Sequence, residues 1–99
     1  MSVTGRPSAG ARYALEKAEE TGEAVVYRGF VHLAGADVPA EVRVELPGPG
    51  TPGGATHATL GPGGTPEMEK AAAALVRAAT RASVAAGGAL PRKIVRWRG

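Results

Sequence analysis

The chain contains no cysteine, which excludes disulfides, thiolate metal sites and thiol nucleophiles. Only one Phe, one Trp and two Tyr are present, so the core has to be thin. It must be built from Val, Leu and Ala, with Tyr27, Phe30 and Trp97 as the large fillers. No apolar run approaches the ~20 residues of a membrane-crossing helix, and Met1–Gly10 lacks the apolar stretch of a secretory leader. These absences lead us to expect a cytoplasmic protein that does not contact the membrane. Acid is missing from residues 71–99, which hold no Asp or Glu beside six basic side chains.

That last absence exposes a charge asymmetry. Residues 71–99 carry Arg77, Arg81, Arg92, Lys93, Arg96 and Arg98, whereas residues 1–70 carry six basic and nine acidic side chains. Segregated charge of this kind suits an anionic partner, self-association between unlike ends, or simply a solvated surface. The 99 residues fit one domain. We expect a disordered segment over 1–7, a single α+β domain over 8–99, and a mobile loop over 47–66, where Pro-Gly steps crowd and no formally charged residue occurs.

Periodicity assigns the elements. Ser8 can cap a helix carrying Ala11, Ala14, Leu15 and Ala18 at helical spacing, with Gly22 to stop it near Thr21. Ala24 to Leu33 reads as a strand with Val25, Tyr27, Val31 and Leu33 on one face and Val26, Arg28, Phe30 and His32 on the other. After Gly35-Ala36-Asp37, the stretch from Val38 to Leu46 alternates cleanly, with Val38, Ala40, Val42, Val44 and Leu46 inward. The short connection predicts an antiparallel hairpin. Ala55 to Leu60 is a candidate short strand. Thr65-Pro66-Glu67 opens a long helix that Gly87-Gly88 ends, and Pro91 admits a last strand. The expected fold is an α+β two-layer sandwich: an antiparallel three- to four-stranded sheet with two helices on one face, in the order α-β-β-(β)-α-β. The α-β-β-β-α part of this order resembles that of double-stranded RNA-binding domains. This chain departs from them in opening its second helix with Pro66-Glu67-Met68-Glu69-Lys70, where that family has a lysine cluster.

No motif names a reaction. His32 and His57 have no Cys or carboxylate at ligand spacing, so neither a metal nor a cofactor is expected. Ser83, His57 and Asp37 show no spacing that supports a triad. Gly61-Pro62-Gly63-Gly64-Thr65-Pro66 runs into a helix without the lysine of a phosphate loop, and reads as a turn and cap.

Two surfaces remain. The first strand is apolar on both faces, so Val26 and Phe30 are candidate partner contacts, with a homodimer the expected assembly. The last strand puts Lys93, Val95 and Trp97 on one side, with Trp97 expected to be buried, and Arg92, Ile94, Arg96 and Arg98 on the other. With Arg77 and Arg81, the basic residues Arg92, Lys93, Arg96 and Arg98 form a candidate nucleic-acid contact. The sequence therefore supports a small non-enzymatic protein-interaction or accessory domain, with a nucleic-acid-binding module as the alternative.

Overall fold

A computed structural model describes residues 10–46, 50, 55–87 and 89–98. The elements follow as β1 (Ala11–Glu20), β2 (Ala24–His32), β3 (Asp37–Glu45), β4 (Thr56–Leu60), α1 (Pro66–Ala85) and β5 (Lys93–Arg98). The strands form one antiparallel sheet in the order β4-β3-β2-β1-β5. The α+β class is as expected, but the chain order is β-β-β-β-α-β. Among the described residues one helix and five strands replace the expected two helices and three or four strands, and the parallel with double-stranded RNA-binding domains ends there. The segment 1–7 and Ser8 lie outside the described residues, as do 47–49 and 51–54 of the expected loop, while 56–60 of that loop form β4.

The missing helix is β1. Its alanines and glutamates favour helix locally, yet Ala11, Tyr13 and Leu15 also alternate with Arg12, Ala14 and Glu16, and the former three are buried. Tertiary pairing decides between the two periods. β1 lies between β2 and β5, so its backbone groups meet partners on both sides, and that long-range ladder outweighs a local propensity of a few tenths of a kcal/mol per residue. Thr21-Gly22, read as a helix stop, is a hairpin turn. The Thr21 hydroxyl accepts from the amides of Glu23 and Ala24, both at 3.1 Å.

The next hairpin follows the sequence closely: Val25, Tyr27, Val31, Val38, Val42 and Val44 form the inner face of β2 and β3. Gly29 sits where backbones approach too closely for any side chain. A Cβ there would lie 2.0 Å from the Ala14 carbonyl oxygen and 2.9 Å from Leu15 Cα.

α1 starts as predicted. Thr65 Oγ1 accepts from the Met68 amide at 3.1 Å, Pro66 takes the first turn, and Glu67 and Glu69 face the positive dipole end. Gly87, at φ 77°, turns the chain away after the cap at Ala86. The helix buries Ala72, Val76, Ala79 and Thr80 on the sheet, and the Thr80 hydroxyl is satisfied by the Val76 carbonyl at 2.9 Å. The helix lies mainly over β4 and β3 and touches β5 sparingly. The connection to β5 is fastened by Tyr27, whose buried hydroxyl donates to the Pro91 carbonyl at 2.7 Å. Burial pushes the pKa of that hydroxyl up to about 12, with a smaller push from Glu20.

β5 alternates as expected, but the inward side is the other one. Ile94, from the guanidinium side, is 1% exposed and joins the core, whereas Trp97 is 60% exposed. The register explains the inversion. Ile94 pairs with Leu15, on the helix-covered face, and Trp97 pairs with Arg12, on the uncovered one.

Candidate interaction surface

Among the described residues a single helix packs on one face of the sheet, and no element covers the other. Its composition can be read row by row across the strands. The middle row is apolar: Val95 on β5 pairs with Ala14 on β1, Ala14 with Phe30 on β2, and Phe30 with Pro39 on β3. Phe30 is 46% exposed and Val95 41%. The strand edge continues at Gly61, whose amide donates to the Pro39 carbonyl at 2.9 Å. These residues line an open concavity of about 860 Å³.

Two polar rows flank this band. On one side, Lys93, Glu16, Arg28 and Glu41 stand in register, one on each of β5, β1, β2 and β3. Their charges alternate in sign. Arg28 Nε donates to Glu41 at 2.7 Å, and its terminal nitrogen donates to Glu19 at 2.6 Å. Its hydrogen bonds to Glu41 and then to Glu19 raise the Arg28 pKa further, so its charge is fixed. Glu16 and Lys93 make no ion pair among the described residues. On the other side run Trp97, Arg12, His32 and Asp37. The Arg12 guanidinium lies 5.7 Å from the Trp97 ring centre, within reach of a cation–π interaction. Arg12 Nε is closed off from solvent with no hydrogen-bond partner. His32 Nδ1 lies 2.8 Å from Asp37, and the His32 ring stacks on Phe30 with centroids 6.0 Å apart.

Phe30, one of the two candidate contacts, therefore stands at the centre of the band. Val26, the other, lies in the row beyond the charges, opposite Glu19 and Arg43, and is only 8% exposed. The six basic candidates do not share a face. Arg77 and Arg81 are exposed on α1, while Arg96 and Arg98 share the side of Ile94 on β5 and Arg92 immediately precedes that strand. Lys93 projects to the uncovered face among the alternating charges. Helical spacing had set Glu16 apart from Lys93 and hidden the place of Ala14, whereas strand alternation already put Pro39 and Glu41 on the outer side. Only the strand register gathers them, and no local signal in the sequence gives that register.

Ser83, His57 and Asp37 do not come together in the fold. His57 on β4 pairs with Arg43, and Asp37 pairs with His32 at the far end of the hairpin. Those two positions are six residues apart along β3, roughly 20 Å at strand rise. Ser83 is on α1, across the sheet. His57 Nε2 instead lies 3.4 Å from Glu45. Among the described residues no three His, Asp or Glu side chains gather to hold a metal ion. No described helix is long and apolar enough to cross a membrane. Comparison with protein families, with curated proteins and with solved structures finds no match to this chain.

Proposed function

We propose that this protein is a small, non-enzymatic interaction domain that self-associates through the uncovered face of its sheet. One observation carries the reading: an apolar row of Val95, Ala14, Phe30 and Pro39, extended by Trp97, crosses a sheet face that no described element covers. Scattered apolar residues are ordinary on a surface. A contiguous row with a large ring at its centre is the kind of patch that marks a protein contact. The flanking charges are of both signs, which suits a protein partner of mixed charge more than a polyanion.

The size of the face is compatible with a weak dimer. The four strands β5, β1, β2 and β3 at about 4.8 Å and roughly seven residues at about 3.3 Å give roughly 440 Å² of projected face per protomer, in the range of weak, transient contacts. Association in the micromolar range is expected. Sedimentation velocity over a concentration series tests this, with Phe30→Glu as the comparison. Phe30 is half-exposed, so the variant keeps the native circular dichroism while sedimenting as a monomer. A wild-type protein that stays monomeric at several hundred micromolar, on the order set by the affinity scale, rules the reading out.

A second reading rests on a different observation. Arg92, Arg96 and Arg98 are exposed along the edge strand, and none of them makes an ion pair among the described residues. Such a row can meet phosphates, with affinity falling steeply as salt rises. Trp97 reports on the same strand. Its fluorescence is to be followed during titration with mixed-sequence RNA and duplex DNA at low and physiological salt. A saturable change lost in the Arg92→Ala/Arg96→Ala/Arg98→Ala variant favours nucleic acid, and no change at low salt removes it.

A further inference from the structure

The charges of the uncovered face specify how a second copy would sit. Resting on the self-association proposed above, we infer that two protomers pack face to face about a two-fold axis that runs parallel to the strands and passes between β1 and β2. The argument is one of self-complementarity. A row reading plus, minus, plus, minus becomes its own complement when reversed, and an isologous interface applies such a reversal.

An axis between β1 and β2 lays β1 over the partner's β2, and β5 over the partner's β3, while keeping each row on itself. Glu16 then faces Arg28 of the partner subunit, and Lys93 faces Glu41 of the partner subunit, each twice by symmetry. The two charges that lack an ion pair within the protomer thus fall on the two that form one, Arg28 and Glu41 at 2.7 Å. In the apolar row, Phe30 falls on the partner's Ala14 and Val95 on the partner's Pro39. The largest side chain meets the smallest, the large-against-small fit that close packing of two layers asks for. In the third row Arg12 meets His32, and Trp97 meets Asp37. No row brings like charges together. The strand axes of the two sheets are aligned, with facing strands antiparallel, as face-to-face packing allows at about 30°.

Other axes fit less well. An axis along β2 puts Glu16 on the partner's Glu41. One along the apolar row, across the strands, sets Phe30 on Phe30 and Glu41 on Asp37. One between β2 and β3 leaves Val95 and Trp97 uncovered, although both are among the exposed large apolar residues.

The arrangement is tested by charge reversal in the full chain. Glu16→Arg alone faces Arg28 with arginine, and Arg28→Glu alone faces Glu16 with glutamate, at two places in either homodimer. Each variant is expected to weaken self-association by roughly tenfold or more. Mixed one to one, the two variants place arginine against glutamate at both contacts, and the dimer returns as a heterodimer in sedimentation and in native mass spectrometry. Lys93→Glu mixed with Glu41→Lys repeats the design at the second contact; Glu41→Lys breaks only one of the two Arg28 ion pairs, and the circular dichroism of each single variant checks its fold. Two outcomes overturn the inference: single variants that dimerise as the wild type does, or mixtures that stay monomeric. If the wild type dimerises and Phe30→Glu dissociates it but neither mixture recovers, the arrangement fails while the face stands. If the wild type never dimerises, the underlying reading fails with it.

Discussion

Two residues expose the tolerances of this small core. Gly29 is placed where β1 and β2 approach, and any side chain there meets backbone that cannot swing aside. Gly29→Ala is expected to cost about 1–3 kcal/mol by overpacking, measured as a lower urea midpoint at unchanged slope. Gly35→Ala is the control, because nothing lies within 4 Å of its Cβ position, and it should change stability little. Tyr27 is held by packing and by its bond to Pro91. Removing the hydroxyl in Tyr27→Phe leaves that carbonyl unpaired and is expected to cost about 1 kcal/mol at neutral pH. The same residue makes stability pH-dependent. Its hydroxyl titrates near 10 in the unfolded chain and at about 12 in the fold. Its contribution is therefore intact below pH 10 and declines as pH rises from 10 towards 12. In Tyr27→Phe that decline should be shallower, though not abolished, since burial also raises the Tyr13 hydroxyl.

At the scale of elements, α1 is the lid of the core, and its start and its buried stripe are separable. Thr65→Ala removes the side-chain acceptor for the Met68 amide and is expected to cost about 1 kcal/mol. Val76→Ala, at the centre of the buried stripe, is expected to cost about 2 kcal/mol, since it removes packed methyls and leaves a cavity under the helix. Both are read from thermal or urea unfolding. β1 shows how an element can carry two periodicities. Its Ala11, Ala14, Leu15 and Ala18 satisfy a helix, while Ala11, Tyr13 and Leu15 satisfy a strand, and ladders with β2 and β5 choose the latter. β5 shows the converse: its alternation was legible, but the identity of its inner side depended on which face α1 covers.

For the molecule as a whole, the proposed self-association would couple stability to protein concentration. If folded protomers associate, the melting temperature of the wild type rises with protein concentration by mass action. Phe30→Glu should remove that dependence without lowering the melting temperature at the highest dilution. A melting temperature independent of concentration over a hundredfold range would count against association. The charge asymmetry of the sequence is redistributed by the fold. Lys93 joins the mixed-sign face, Arg96 and Arg98 take the opposite side of the same strand, and Arg77 and Arg81 remain on the helix. Five of the basic candidates thus lie off the apolar face, which separates the two functional readings spatially and lets one be mutated without touching the other.

What the sequence by itself determined is whatever local chemistry settles: the β2–β3 hairpin from its alternation, the start of α1 from Thr65-Pro66-Glu67, and its end from Gly87. The α+β class followed from these. Tertiary structure alone decided that residues 11–20 form a strand, that Ile94 and not Trp97 enters the core, and that Lys93, Glu16, Arg28 and Glu41 stand in one row. Each of those outcomes depends on hydrogen bonds between segments distant in the chain. A strand's partners, and therefore the face each side chain takes, are fixed by pairing over that distance and not by the residues next to it.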